Sequence, residues 1–303
     1  MGIETLCANI KKKNNPTVAG LDPELSYVPG YIREAAYHLC GKTLEGAAEA
    51  LWQFNRSLID ALYDIVPAVK PQSAYYEMYG LPGLITMDKT IRYAKEKGMY
   101  VILDVKRGDI GKTAAAYAAA YIGETDIDGE KVRAFLPDGI TVNPYLGTDG
   151  LVPFVSETAN DKSIFVLVKT SNPSSGELQD LEAEGTPVYM HTAALVAKLA
   201  EEKVMPCGYS NVGCVVGATY PKEAETLRQM LPHSFFLVPG YGAQGGGAAD
   251  VRPCFDQNGG GAIVNSSRGI MCAYKRENCA EEDFAGAARR EALRMQKALS
   301  EVL

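Results

Sequence analysis

Short apolar runs rich in β-branched residues recur along the chain, separated by longer stretches whose apolar positions repeat every three or four residues. The runs are Thr17–Leu21, Ile65–Val69, Tyr100–Leu103, Gly139–Val142, Ile164–Val168, Val212–Val216, Phe235–Val238 and Gly261–Val264. They are almost continuously hydrophobic rather than alternating, as parallel strands covered on both faces must be. Helical periodicity fills the gaps, at Glu45–Tyr63, Pro82–Lys97, Lys112–Tyr121, Pro187–Glu202, Pro221–Leu231 and Glu281–Leu303, with Gly98 placed to cap the second of these. Eight strands alternating with helices predict an α/β chain folded as one (β/α)8 TIM barrel over residues 1–303. The alternative is a doubly wound open sheet, but no GxGxxG follows the first strand, which weakens a dinucleotide-binding version of it. Two connections are long, about 22–44 after the first strand and about 171–186 after the fifth. Connections of that length are read either as lids over a site or as insertions without a role.

A barrel of this kind carries its site at the C-terminal ends of the strands. The residues there are Asp22, Lys70, Asp104 with Lys106, Asn143, Ser171, Ala218, Gln244 and Arg268. The third end is the sharpest, because Asp104, Lys106 and Asp109 put acid, base and acid within six residues. On an extended segment Asp104 and Lys106 point the same way. The pair reads either as a surface salt bridge or as a lysine held protonated by carboxylates and poised to donate a proton. The seventh end, Pro239–Gly247, is glycine-rich and offers backbone N–H groups as an anion-binding nest. After the eighth strand comes Asn265-Ser266-Ser267-Arg268, with Arg268 suited to bidentate phosphate binding. Loops after strands seven and eight are the usual phosphate site of this fold.

Composition narrows the partners. The chain is 47% hydrophobic and 22% charged, ordinary for a globular protein, with a net charge of −7. An acidic balance disfavours nucleic acid as a partner and requires any bound anion to find a local positive site. Seven cysteines, an odd number without a CxxC pair, point to reduced thiols, and His38, His191 and His233 sit at no metal-ligand spacing. The N-terminal MGIETLCANIKKKNN lacks the apolar core of a signal peptide, and no run of about 18 apolar residues occurs. The expectation is a cytoplasmic protein without a membrane partner.

The pattern Asp104, Lys106, Asp109, Ile110 resembles the DxKxxDI signature of the orotidine 5'-phosphate decarboxylase family. The extension LDVKRGDIGKTAAAY is similar to the family's longer-chain bacterial branch, and PGYGAQGG resembles its phosphate-gripping loop. Matching positions run from Asp22 to Arg268, nearly the whole barrel. The resemblance implies a homodimer that converts OMP to UMP and CO2 in de novo pyrimidine nucleotide biosynthesis, with no metal and no organic cofactor. It implies that Lys70, Asp104 and Lys106 form the charged network, with Lys106 as proton donor. Asp109 would enter the neighbouring subunit's site, where Thr113 contacts the ribose. Asp22 and Lys70 would hold ribose hydroxyls, Ser171 the pyrimidine, and Gln244 and Arg268 the phosphate. Ser267 departs from the pattern, standing where some members have glycine. Two other readings stay open. One is a phosphosugar aldolase or synthase using Lys106 as a Schiff base or Asp104 and Asp109 on Mg2+; the other is a nucleotide-phosphate binding protein without turnover.

Overall fold

Parallel pairing closes the apolar runs into a barrel. The computed structural model describes residues 2–242 and 245–303. Its barrel strands are Thr17–Leu21 (β1), Ala68–Pro71 (β2), Tyr100–Arg107 (β3), Gly139–Val142 (β4), Ser163–Lys169 (β5), Ser210–Val216 (β6), Ser234–Val238 (β7) and Ala262–Ser266 (β8). Each pairs with its neighbours in chain order, and β8 returns to β1, with Val18 opposite both Asn265 and Ala68. The second run starts three residues later than its hydrophobicity suggests. The N–H groups of Ile65 and Val66 still bond to Leu62 O, so these residues finish the preceding helix instead of opening the strand. The third runs on to Arg107, with a register slip against β4 between Leu103 and Arg107.

The helices are Gly2–Lys13 (α1), Gly30–Cys40 (α2), Leu44–Leu62 (α3), Gly80–Glu96 (α4), Gly111–Tyr121 (α5), Gly147–Glu157 (α6), Val188–Glu201 (α7), Pro221–Met230 (α8) and Phe284–Ser300 (α9). The outer core lies between strands and helices. A separate inner core fills the barrel, where Val18, Tyr100, Ile102, Phe165, Phe235 and Ile263 meet Ile3 and Leu6 of α1. Helix α1 thus plugs the N-terminal end, fastened by Ile3 N–H donating to Asn211 Oδ1 at 2.8 Å. Helix α1 is not among the expected helices, although Ile3, Leu6, Cys7 and Ile10 recur at helical spacing. Helix α6 was less so, since Gly147, Gly150 and Pro153 interrupt the pattern.

The long connections are not bare loops. Residues 22–44 contain a 3-10 turn at Leu25–Tyr27, tied to the far end of the chain by Tyr274 Oη donating to Tyr27 O at 3.0 Å, and α2, which packs on α3. Residues 171–186 hold a 3-10 turn at Pro173–Ser175, a short helix at Gly176–Gln179 and most of a small hairpin, Glu182–Ala183 with Thr186–Pro187. Among the described residues no helix is long and apolar enough to cross a membrane.

Candidate active site

The C-terminal ends of the strands enclose a cavity of about 960 Å3, within the range that takes a nucleotide-sized ligand. Asp22, Lys70, Asp104, Lys106, Ser171 and Arg268 all line it. Lys70 and Asp104 come from adjacent strands and are both buried. Lys70 Nζ lies 3.0 Å from Asp104 Oδ2 and 3.9 Å from Asp22 Oδ1. The other Asp104 oxygen is 2.7 Å from Lys106 Nζ and accepts from Thr141 Oγ1 at 2.7 Å. Acids and ammoniums therefore alternate across the mouth of β1, β2 and β3.

Burial would push the Asp104 carboxyl up. The charges of Lys70 and Lys106, with hydrogen bonds from Lys106 and Thr141, outweigh it and hold the group well below the usual carboxylate range. Burial would likewise lower Lys70, but Asp104 and Asp22 override it and leave the amine above its ordinary value. Both groups stay ionised through the neutral range. Since the Asp104 value is depressed on folding, its stabilising contribution is complete above the unfolded pKa of about 3.9 and is lost as pH falls through the lowered native value.

The extended spacing expected for Asp104 and Lys106 is not what joins them. Lys106 has a φ of +46°, a left-handed conformation at the register slip of β3, and its N–H donates to Thr141 Oγ1 at 2.9 Å. A bulge therefore aims the ammonium, and Thr141 braces both partners. Thr141 was missed in the sequence. The available signal was a polar residue in the apolar run Gly139–Val142, two positions before Asn143 and hence on the same face. Asn143 also lines the cavity, its Oδ1 accepting from Tyr145 N–H at 3.0 Å.

Asp109 and Thr113 stand apart. Neither lines the cavity of its own chain. Helix α5 begins at Gly111, so Asp109 precedes it, its Oδ1 accepting from Ile110 N–H at 2.8 Å. Thr113 is exposed on α5.

In the glycine-rich loop, Gln244 lies outside the described residues, as does Ala243. Gly240 and Gly242 take φ values of +99° and +73°, which turn the chain back on itself. The N–H groups of Gly242, Gly245 and Gly246 then bond to the carbonyls of Gly246, Gly242 and Gly240, and that of Gly247 to Asp250 Oδ2. Among the described residues of the loop, these four donors are engaged within the loop and its continuation to Asp250. Opposite it, Ser267 takes the space that Gly20 vacates. A Cβ at residue 20 would lie 1.9 Å from Ser267 Oγ. The serine in place of glycine is therefore accommodated by glycine on β1. Gly20→Ala is expected to displace Ser267 and Arg268 and to weaken binding of a phosphate-bearing ligand by about tenfold, the size of one lost hydrogen bond. Adding Ser267→Gly should restore it. Titration calorimetry of both variants checks this, and a double variant no better than the single one would exclude the steric cause.

Among the described residues no group of three or more His, Cys, Asp or Glu is arranged to hold a metal ion. The seven cysteines are free thiols, with Cys214, Cys254 and Cys272 buried, Cys7, Cys207 and Cys279 partly buried and Cys40 exposed.

A family model described as orotidine 5'-phosphate decarboxylase / HUMPS family matches residues 45–282. An orotidine 5'-phosphate decarboxylase of Rhodopirellula baltica is 44% identical over 300 residues, covering 97% of each chain. One from Caldicellulosiruptor saccharolyticus is 43% identical over 282 residues, 93% of this chain and 92% of that one. Among solved structures, the OMP decarboxylase of Leishmania donovani superimposes with a TM-score of 0.70 at 29% identity, covering 98% of this chain and all of the other.

Proposed function

The chain belongs to the orotidine 5'-phosphate decarboxylase / HUMPS family, and we propose that it decarboxylates OMP to UMP in pyrimidine nucleotide biosynthesis, with Lys106 as proton donor and without metal or organic cofactor. It is a carboxy-lyase. The observation that carries the mechanistic reading is the Asp104 carboxylate held between the Lys70 and Lys106 ammoniums on the cavity wall.

In this reading Arg268 and the glycine loop with Gln244 hold the phosphate, Asp22 and Lys70 the ribose hydroxyls, and Ser171 the pyrimidine. The ring carboxylate then lies beside Asp104 and Lys106. The bond to the carboxylate breaks, CO2 leaves, and the electron pair stays on the ring carbon. Lys106 Nζ supplies fixed positive charge there and transfers a proton to that carbon; the amine regains a proton from water. Because Lys70 and Thr141 hold Asp104 in place, the charges are set before the carbanion forms. Binding energy at the remote phosphate contributes by closing loops over the reacting centre. The unit is one barrel domain over residues 1–303 with excursions at 22–44 and 171–186. It works in the cytoplasm as a homodimer in which Asp109 and Thr113 of each subunit complete the other's site.

Both Asp104 oxygens are engaged by Lys70, Lys106 and Thr141, and Asp109 lies off the cavity wall, which leaves the Mg2+-dependent synthase reading less support. The deciding experiment is a spectrophotometric assay with OMP, with and without EDTA. Turnover that EDTA leaves intact is expected. Loss with EDTA, or borohydride trapping of Lys106, would favour the aldolase or synthase reading. UMP binding without turnover would favour a binding protein.

Arg268→Ala is expected to weaken OMP and UMP binding by about 1.5–3 kcal/mol, the contribution of a charge-assisted pair, with partial recovery in added guanidinium. Unchanged UMP affinity by calorimetry would remove Arg268 from the phosphate.

A further inference from the structure

Another buried ammonium, Lys169, sits at the end of β5, outside the Lys70–Asp104–Lys106 network. The Lys169 side chain has no exposed surface, and its ion pair is with Asp180, whose own side chain is 47% exposed. The Lys169 Nζ also lies 4.3 Å from the ring centre of Tyr220 and 5.4 Å from that of Tyr189. Asp180 belongs to the 171–186 excursion, Tyr220 follows β6 and Tyr189 is in α7. Separate segments thus meet on one charge. Neither Lys169 nor Asp180 lines the cavity, but their chain neighbours Thr170 and Gln179 do.

Next to the ion pair, Thr170 N–H donates to Gln179 Oε1 at 3.0 Å, and Gln179 Nε2 donates back to Thr170 Oγ1 at 2.7 Å. Tyr220 Oη and Ser175 Oγ share a hydrogen bond of 2.8 Å. The excursion is therefore fastened on both sides of Ser171, whose backbone presses so close to Gly217 that a Cβ there would lie 2.9 Å from it. The pair is asymmetric. Asp180 would be hydrated on release, whereas Lys169 would be left buried without a counter-charge, a costly state. That asymmetry favours the closed excursion.

We propose that Lys169 and Asp180 form a latch that positions the cavity wall made by Ser171 and Gln179, and so sets affinity for the base end of the nucleotide while leaving the phosphate end alone. The latch rests on the proposed role of Ser171 and is a positioning device, since neither partner reaches the reacting atoms. Removing the charge of Asp180 obliges Lys169 to find water, which it reaches only if the excursion lifts.

The test uses the full-length enzyme with Asp180→Asn, an isosteric change on the exposed side. The expected result is a rise of about tenfold in the Kd for UMP and in KM for OMP, with kcat changed far less. Affinity for ribose 5-phosphate, which lacks the base, should be unchanged, and amide hydrogen exchange across 172–187 should quicken. Asp180→Glu should recover most of both effects. Lys169→Met, which removes the buried charge instead, should weaken UMP less than Asp180→Asn. Ser171→Ala separates the two ideas, because it is expected to weaken UMP without changing exchange. If Ser171→Ala has no effect while Asp180→Asn still quickens exchange and weakens UMP, the latch stands and the role of Ser171 fails. The latch is overturned if Asp180→Asn leaves exchange and UMP affinity at wild-type values, or if it weakens UMP and ribose 5-phosphate alike.

Discussion

Lys106→Ala is expected to lose about three orders of magnitude or more in kcat/KM for OMP, about 4 kcal/mol of transition-state stabilisation. The size follows from the two tasks the proposal gives one ammonium. It places positive charge beside the ring carbon as the electron pair develops, and it supplies the proton that ends the carbanion's life. Both are lost together, because the other cations among the described residues lining the cavity, Lys70 and Arg268, have other tasks in the proposal. Lys70 is fully engaged lower in the wall, 3.0 Å from the far oxygen of Asp104. The variant should fold. Lys106 is 47% exposed, and Asp104 keeps Lys70 and Thr141 when it is gone. UMP affinity should therefore change far less than turnover, since the product carries no developing charge. Purified Lys106→Ala enzyme turning over OMP at near the wild-type rate would remove Lys106 as the proton donor.

The second large effect is a recovery. Lys106→Ala and Asp109→Ala chains are each expected to be inactive alone, yet mixing and subunit exchange should return up to about a quarter of wild-type activity. Lys106 lines the cavity of its own chain, while Asp109 and Thr113, at the opening of α5, do not. If Asp109 serves the partner's site, a two-fold dimer of one chain of each kind places both defects in one site and leaves the other wild type. Random pairing makes about half the dimers mixed, each with one good site of two, which gives the quarter. Native mass spectrometry reports the exchange independently. Mixed dimers without recovered activity would mean that Asp109 acts within its own chain.

Much of this was legible in the chain itself. The barrel followed from eight apolar runs separated by helical periodicity, because a parallel strand covered on both faces has little choice but to be hydrophobic throughout. Local order also placed most candidate site residues, since in this fold the site gathers at the C-terminal ends of strands and those ends can be counted. Six of the expected side chains, from Asp22 to Arg268, do converge on one cavity. The glycines of the seventh loop and the pair Asp104 and Lys106 stood out because their chemistry is carried by short segments.

What sequence spacing left undetermined were relations between segments far apart in the chain. The bulge that turns Lys106 at φ +46° depends on its register against β4, and Thr141 becomes part of the network only when that strand lies alongside. The room for Ser267 depends on a missing side chain at Gly20, nearly 250 positions earlier, because β1 and β8 become neighbours only when the barrel closes. The start of β2 was misplaced for the same kind of reason. Ile65 and Val66 are as hydrophobic as strand residues, but their N–H groups are claimed by Leu62 before β1 and β3 can compete for them. Hydrophobicity specifies which residues leave water, and it acts locally enough to be read along the chain. Hydrogen-bond partners, charge neighbours and steric fit are pairwise and set by whatever tertiary packing brings within about 3 Å, so they were decided only in three dimensions.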